Sequence, residues 1–392
     1  MKLFLFKLST ILLALLLFLV GLEITARVLN LAPPRLGQAD PIYGYAHIPG
    51  SSLVSTSGVK IEIGAHGFRG PAPSLEKKPG TFRVVFLGDS FLFAEALPWN
   101  EVFTTRLNDS FQNQGLPIET INLGVNGYGT VQEYLVYRHL ARNYRPDLVI
   151  VCFYAGNDLR DNYPPPEHLP GFELVGGELR PVSFTTPRRG PVRDFLRRRL
   201  RIYSYLPDLW RRAVNNSLFK FLGREEKRRF EADKAQFDWR PTGEWAPDVL
   251  GPEHLGPAWR LTLAVLEKLF REIQRDGGEP GLCVFPIVTQ VYDRYWEALK
   301  RQYPARETET WDRFKPQKTL ENFCRERHLP FFPVSRALVE RARERQEEFY
   351  LEKDFHFNAR AHRVLAEVLG PAIEKIFREK KAAGPPSAVG AL

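Results

Sequence analysis

The sequence has few of the residues that staple or metallate a fold. Its 392 residues include one methionine and three cysteines, Cys152, Cys283 and Cys324, far apart and without a CxxC pair. That spacing excludes a disulfide framework and offers no zinc-like cluster. Cys152 and Cys283 sit in apolar strand-like runs, where a thiol behaves as a small hydrophobe. His47, His66, His139, His168, His254 and His328 are scattered, with no HExxH and no paired ligand spacing. No metal and no cofactor is therefore expected. Internal repeats are absent as well. What is present suits a real core: 44% of residues are hydrophobic and 12% aromatic, which excludes global disorder.

The longest apolar run opens the chain. "MKLFLFKLSTILLALLLFLVGLEITARVLN" has Lys2 and Lys7, then no charge from Leu8 to Leu22. With the apolar residues before Lys7 it approaches the ~20 residues that span a bilayer. No small-x-small cleavage site follows it, which favours a signal anchor over residues 1–30 rather than a cleaved signal peptide. The positive-inside rule puts the N-terminus in the cytoplasm and the remainder outside, a single-pass protein of the cell membrane.

Residues 31–80 are rich in Pro, Gly and Ser with short β-like pieces such as "VKIEIG", and are expected to form a stalk and small β cap. From residue 81 to 380 strands and helices alternate. Unbroken apolar runs at Val84–Leu87 and in "IETINLGV", "PDLVIVCFYAGND" and "GLCVFPIV" predict strands covered on both faces, with "LPFFPVS" a further candidate. Leu266, Leu269, Phe270 and Ile273 recur at helical spacing and Gly277–Gly278 ends that helix. Leu365, Val368, Leu369 and Ala372 mark a last helix, with a kink expected at Pro371. The pattern predicts an α/β fold with a mostly parallel sheet. Residues 160–257 interrupt it as a basic insertion, and 381–392 read as a disordered tail.

In such a sheet, sites form beyond the carboxyl ends of the strands. Three ends carry polar residues: Gly88-Asp89-Ser90, Asn122-Leu123-Gly124 and Gly156-Asn157-Asp158. A fourth cluster, "KDFHFNARAH", holds Asp354, His356, Asn358 and His362. Serine hydrolysis needs a hydroxyl, a base, a group to orient the base, and oxyanion donors. Ser90 is the candidate nucleophile, His356 the base and Asp354 its orienting partner. The Ser90 and Gly124 N–H groups and the Asn157 amide are candidate oxyanion donors. Asp89 and Asp158 read as structural carboxylates, and His362 as a packing or capping residue.

These blocks, in the order Ser, Gly, Asn, His, resemble the SGNH (GDSL-type) hydrolase family. With the N-terminal span and the "YGYAHIPG" and "GFRG" segments before GDSF, the chain is similar to membrane-anchored bacterial members. The resemblance implies a three-layer α/β/α, flavodoxin-like fold and a serine esterase or lipase-like enzyme acting on O-acyl esters without a metal. It implies catalytic roles for Ser90, His356 and Asp354, and oxyanion roles for Gly124 and Asn157. The histidine block departs from the family's pattern, with Phe355 where glycine is common. A phenylalanine there needs a backbone conformation that glycine would adopt freely.

The residues leave two alternatives open. The same site could transfer an acyl group to a cell-envelope polysaccharide, or the fold could serve a non-catalytic glycan- or lipid-binding protein. Between Arg188 and Arg229 fourteen Lys/Arg face four Asp/Glu, a local net of +10 against +9 for the whole chain. Mixed with Phe195, Leu196 and Trp210, this window suits either an anionic bilayer surface or a solvated arginine-rich face. A lid over the site is a further reading of the insertion. Nucleic acid is not expected as a partner, because no recognised motif accompanies the charge.

Overall fold

A computed structural model describes residues 2–28, 36–55, 57–185, 200, 203, 249–251, 256–303, 305–352 and 355–383. The chain divides into two compact units, residues 1–35 with 187–235, and residues 36–186 with 236–392. In the first, helix α1 (Lys2–Val28) contains Ser9–Val28, with a mean hydropathy of 2.3 and side chains largely uncovered by the rest of the protein. Length and composition make it a helix able to cross a membrane. The basic window 188–229 lies outside the described residues apart from Leu200 and Tyr203, as do Asp354 and residues 384–392 of the tail.

The second unit is built on a five-stranded sheet. Strands β5 (Phe82–Gly88), β6 (Ile118–Gly124), β7 (Leu148–Tyr154), β10 (Glu279–Phe285) and β11 (Phe331–Phe332) lie in the order β11-β10-β7-β5-β6. Every pairing is parallel. Side chains alternate between two cores. Val84, Phe86, Ile150, Cys152, Cys283 and Phe285 face the layer of helices α3 (Phe103–Asn113), Val334–Arg345 and Ala359–Ala383. Val85, Leu87, Val149, Val151, Leu282 and Val284 face α4 (Thr130–His139), Gly256–Arg275 and Lys315–Glu326. Helices thus cover both faces, the three-layer α/β/α arrangement. This explains why these strands read as continuous apolar runs rather than alternating ones. Pro371 lies inside the C-terminal helix, which continues unbroken to Ala383.

Strands β5 and β7 are neighbours, yet α3 follows β5 on one face and Gly256–Arg275 follows β7 on the other. Their carboxyl ends therefore flank the switch point of the sheet, where a crevice opens. Residues 36–70 add two antiparallel hairpins, β1 (Gly37–Asp40) with β2 (Gly44–His47) and β3 (Ser52–Val54) with β4 (Lys60–Glu62). Ile61 and Ile63 of this cap bury themselves against Phe93. Within the 160–257 insertion, β8 (Gly171–Val175) and β9 (Glu178–Val182) form a further hairpin.

Candidate active site

Strand β5 ends in Gly88 and turns at once into the four-residue helix α2 (Ser90–Phe93). Asp89 makes that turn, its Oδ1 accepting the Phe91 N–H at 2.9 Å as an N-cap. The turn stops at Ala94, which takes the left-handed conformation at φ 53°. Three carbonyls of this descending loop, of Phe93, Ala94 and Leu97, accept from the buried Arg69 guanidinium, the first at 2.7 Å. Arg69 belongs to the GFRG segment, so the β cap braces the residues that follow Ser90. Burial lowers the Arg69 pKa to about 10, against the opposing influence of Glu95.

Opposite Ser90, the loop before the C-terminal helix delivers His356. Its Nε2 lies 2.8 Å from Ser90 Oγ, across 266 residues of sequence. Backbone bonds pin the loop: Leu351 N–H donates to the His356 carbonyl at 2.8 Å, and Asn358 N–H to that of Phe349 at 2.9 Å. Asn358 Oδ1 caps the helix by accepting from Arg360 and Ala361 N–H. Phe355 adopts φ 54°, so the position does require the left-handed region, here met by a phenylalanine at a cost on the order of 1 kcal/mol. Behind the imidazole stands the ring of Phe91 at 4.8 Å, itself stacked on Tyr154 at 3.9 Å. A cavity of about 140 Å³ opens at this pair, lined by Ser90, Glu95, Asn126 and His356 among others. Ser57 of the cap also reaches it.

The candidate oxyanion donors are placed differently from one another. Ser90 N–H has no acceptor among the described residues. Asn157 follows β7, and its Nδ2 donates to Asp161 Oδ2 at 2.7 Å, leaving one amide hydrogen. Gly124 N–H donates to Asn122 Oδ1 at 2.9 Å. Packing accounts for the missing side chain of Gly124: a Cβ there would stand 2.7 Å from Phe93 N. Three residues on, Gly127 sits at φ 76° beside the cavity-lining Asn126, and its N–H has no acceptor among the described residues. The sequence carries a signal for it in N-x-G-x-N-G, whose second glycine takes a conformation costly to other residues.

Beneath the turn lie three buried carboxyls, Asp89, Glu133 and Asp158. Asp158 Oδ2 accepts the Tyr154 N–H at 2.8 Å, but both Glu133 oxygens have no partner among the described residues. Burial pushes the Asp89 pKa up to about 6, against the pull of Phe91 N–H and His356. Burial, then Asp89, raises Glu133 well above the ordinary range, and burial, then Glu133, does the same to Asp158. Glu133 and Asp158 are thereby biased towards their protonated forms. His362 is buried and its Nδ1 accepts the Phe103 N–H at 3.2 Å, which caps α3. Burial lowers its pKa to about 3, so it is held neutral.

A parallel three-layer sheet with a hydroxyl–imidazole pair at its switch point defines a class of α/β/α proteins in which chemistry sits at the carboxyl edge. Within that class the chain belongs to the GDSL-like lipase/acylhydrolase family, whose model matches residues 86–364. It is an enzyme that hydrolyses ester bonds. No curated protein matches the sequence. Among solved structures, a catalytic mutant of an acetylxylan esterase from Geobacillus stearothermophilus is similar at 13% identity and a TM-score of 0.41, covering 76% of this chain and 96% of its own. The psychrotrophic esterase EstA from Pseudoalteromonas gives 11% identity and a TM-score of 0.37, covering 76% and 98%.

Proposed function

We propose that Ser90 is the nucleophile of a carboxylic-ester hydrolase and that His356 takes its proton. The 2.8 Å contact between Ser90 Oγ and His356 Nε2 carries this reading, since it is the geometry a general base needs. Asp354, two residues before His356, orients the imidazole. Ser90 N–H, the remaining Asn157 amide hydrogen and Gly127 N–H supply the oxyanion donors, Gly127 taking the part expected for Gly124. Attack forms an acyl-enzyme on Ser90 Oγ, His356 passes its proton to the leaving alkoxide, and water then releases the acid.

The cavity is small, and the β cap and α2 wall it in. It suits a short acyl group, so turnover should fall from 4-nitrophenyl acetate through butyrate to octanoate. Wild type is to be compared with Ser90→Ala, as the full chain in detergent. Equal release from both proteins would remove Ser90 from the reaction, and a preference for octanoate would remove the short-acyl assignment.

The same reading puts the enzyme on a membrane. Helix α1, with Lys2 and Lys7 at its start, supports a single-pass anchor with the enzyme outside the cytoplasm. Retention in membranes after alkaline carbonate extraction tests the anchor. Loss of the protein to the supernatant would identify α1 as a removable leader.

A further inference from the structure

A second cavity, of about 260 Å³, shares no lining residue with the one at Ser90. It lies along β6, the edge strand of the sheet, between α3 and the chain segment 66–73 of the cap. Trp99 and Phe68 supply aromatic surface. Trp99 is held against the Gly70 backbone, where any Cβ would stand 2.4 Å from its ring, and the Arg69 guanidinium lies 5.6 Å from the ring centroid. It is thus a fixed, partly exposed plate rather than a mobile side chain.

Hydrogen-bonding groups ring that plate with valences to spare. Asn108 uses its Oδ1 on the Thr120 N–H at 3.4 Å, and its amide hydrogens have no acceptor among the described residues. Glu119 accepts from Arg83 Nε through Oε2 at 2.6 Å, which leaves Oε1. Arg83 is taken up by Glu119 and four carbonyls. Arg69 lines the cavity and gives three N–H groups to carbonyls, so an anion meets the Glu119 carboxylate as well as this guanidinium and finds no net complementary charge. An acyl chain would strand the Asn108 amide and the Glu119 carboxylate, which is costly for polar groups taken out of water.

We infer that this cavity is a binding site for a neutral saccharide unit, a ring whose C–H face lies on Trp99 while its hydroxyls meet Asn108 and Glu119. Aromatic area with a few fixed polar groups is the general form of a small-molecule site. The site is separate from Ser90 and does not rest on the esterase reading. It gives the enzyme a hold on a glycan chain apart from the bond it cleaves.

The test is calorimetric titration of the full chain, in a detergent without a sugar headgroup, with xylobiose, cellobiose, N,N′-diacetylchitobiose and glucuronate. At least one neutral disaccharide should bind, with Ser90→Ala binding as tightly as wild type. Trp99→Ala should weaken that binding by about tenfold or more, and the near-isosteric Asn108→Asp by about threefold to tenfold. Asn108→Asp keeps the acceptor for the Thr120 N–H and removes only the amide donors, so it should fold and its result is interpretable if Trp99→Ala misfolds. The proposal fails if no neutral sugar binds at about 10 mM, a concentration that would reveal even millimolar sites. It fails equally if glucuronate binds best, if Asn108→Asp binds as wild type does, or if Ser90→Ala abolishes binding.

Discussion

The ring of Phe91 stands 4.8 Å from that of His356, so the residue after Ser90 in sequence is the one that backs the imidazole in space. The same turn therefore presents the hydroxyl and limits the tilt of its base. His356→Gln should lower kcat by about 10³-fold or more, as removal of a triad base does elsewhere. Phe91→Leu should lower kcat by a smaller factor, about tenfold, with little change in KM. Steady-state rates on 4-nitrophenyl acetate decide both, and a Phe91→Leu enzyme with full kcat would show that the ring does not position the imidazole.

Arg69 ties the cap to the loop after α2. Arg69→Met removes the charge but leaves the carbonyls of Phe93, Ala94 and Leu97 without their donor, at about 1–3 kcal/mol for each group left unsatisfied. A drop in unfolding free energy of about 3 kcal/mol or more is expected from a urea titration. Esterase activity should fall with it, because Ala94 and Glu95 line the cavity at Ser90. An unchanged urea midpoint would mean that the cap is merely attached.

Gly124 is constrained by packing. Gly124→Ala drives a methyl against Phe93 N and Leu92, and is expected to cost about 1–3 kcal/mol and to shift α2. Melting temperature and kcat should fall together. If kcat fell while stability held, Gly124 would have a part in the chemistry that its bonded N–H does not suggest.

Glu133 carries a pH signature. Its folded pKa lies well above the ordinary 4.5, because burial and the nearby Asp89 disfavour its charge. Its contribution to stability is thus complete below about pH 4.5 and is lost as pH rises through the folded value. Asp158 and Asp89 face it and act in the same direction, while Cys152 is raised too by burial and by Cys283. Glu133→Gln, which mimics the protonated form, should match wild type near pH 4 and gain on it steadily towards pH 9. Thermal unfolding across that range checks the sign; a difference that is flat with pH would show that Glu133 ionises freely in the folded state.

Much of the sheet was legible because its strands are buried on both faces, which leaves long apolar runs such as Val84–Leu87 and Leu148–Phe153. Strand β11 was weaker, having two residues, and β8–β9 escaped notice because they lie inside the segment read as an insertion, where only Phe172, Leu174 and Leu179 turn towards the core. The Ser90 and His356 side chains announced themselves by type and order. Backbone donors did not: whether Gly124 or Gly127 has a free N–H depends on where Asn122 points, which composition does not encode. Nor did Glu133, which reads as a surface charge on a helix until α4 is laid against the sheet. Arg69, in a segment read as stalk and cap, turned out to hold the loop beside Ser90.

The strand order also sets a schedule. Central β7 pairs with β10 only after the chain has travelled from Tyr154 to Glu279, and His356 reaches Ser90 only when the loop before the last helix docks. A chain synthesised from its N-terminus has β5, β6 and β7 ready long before the partner of β7 emerges. Until then one edge of β7 is a bare template for mispairing. The Ser90 hydroxyl and the His356 imidazole meet last of all, so the pair is assembled only when the loop before the last helix docks.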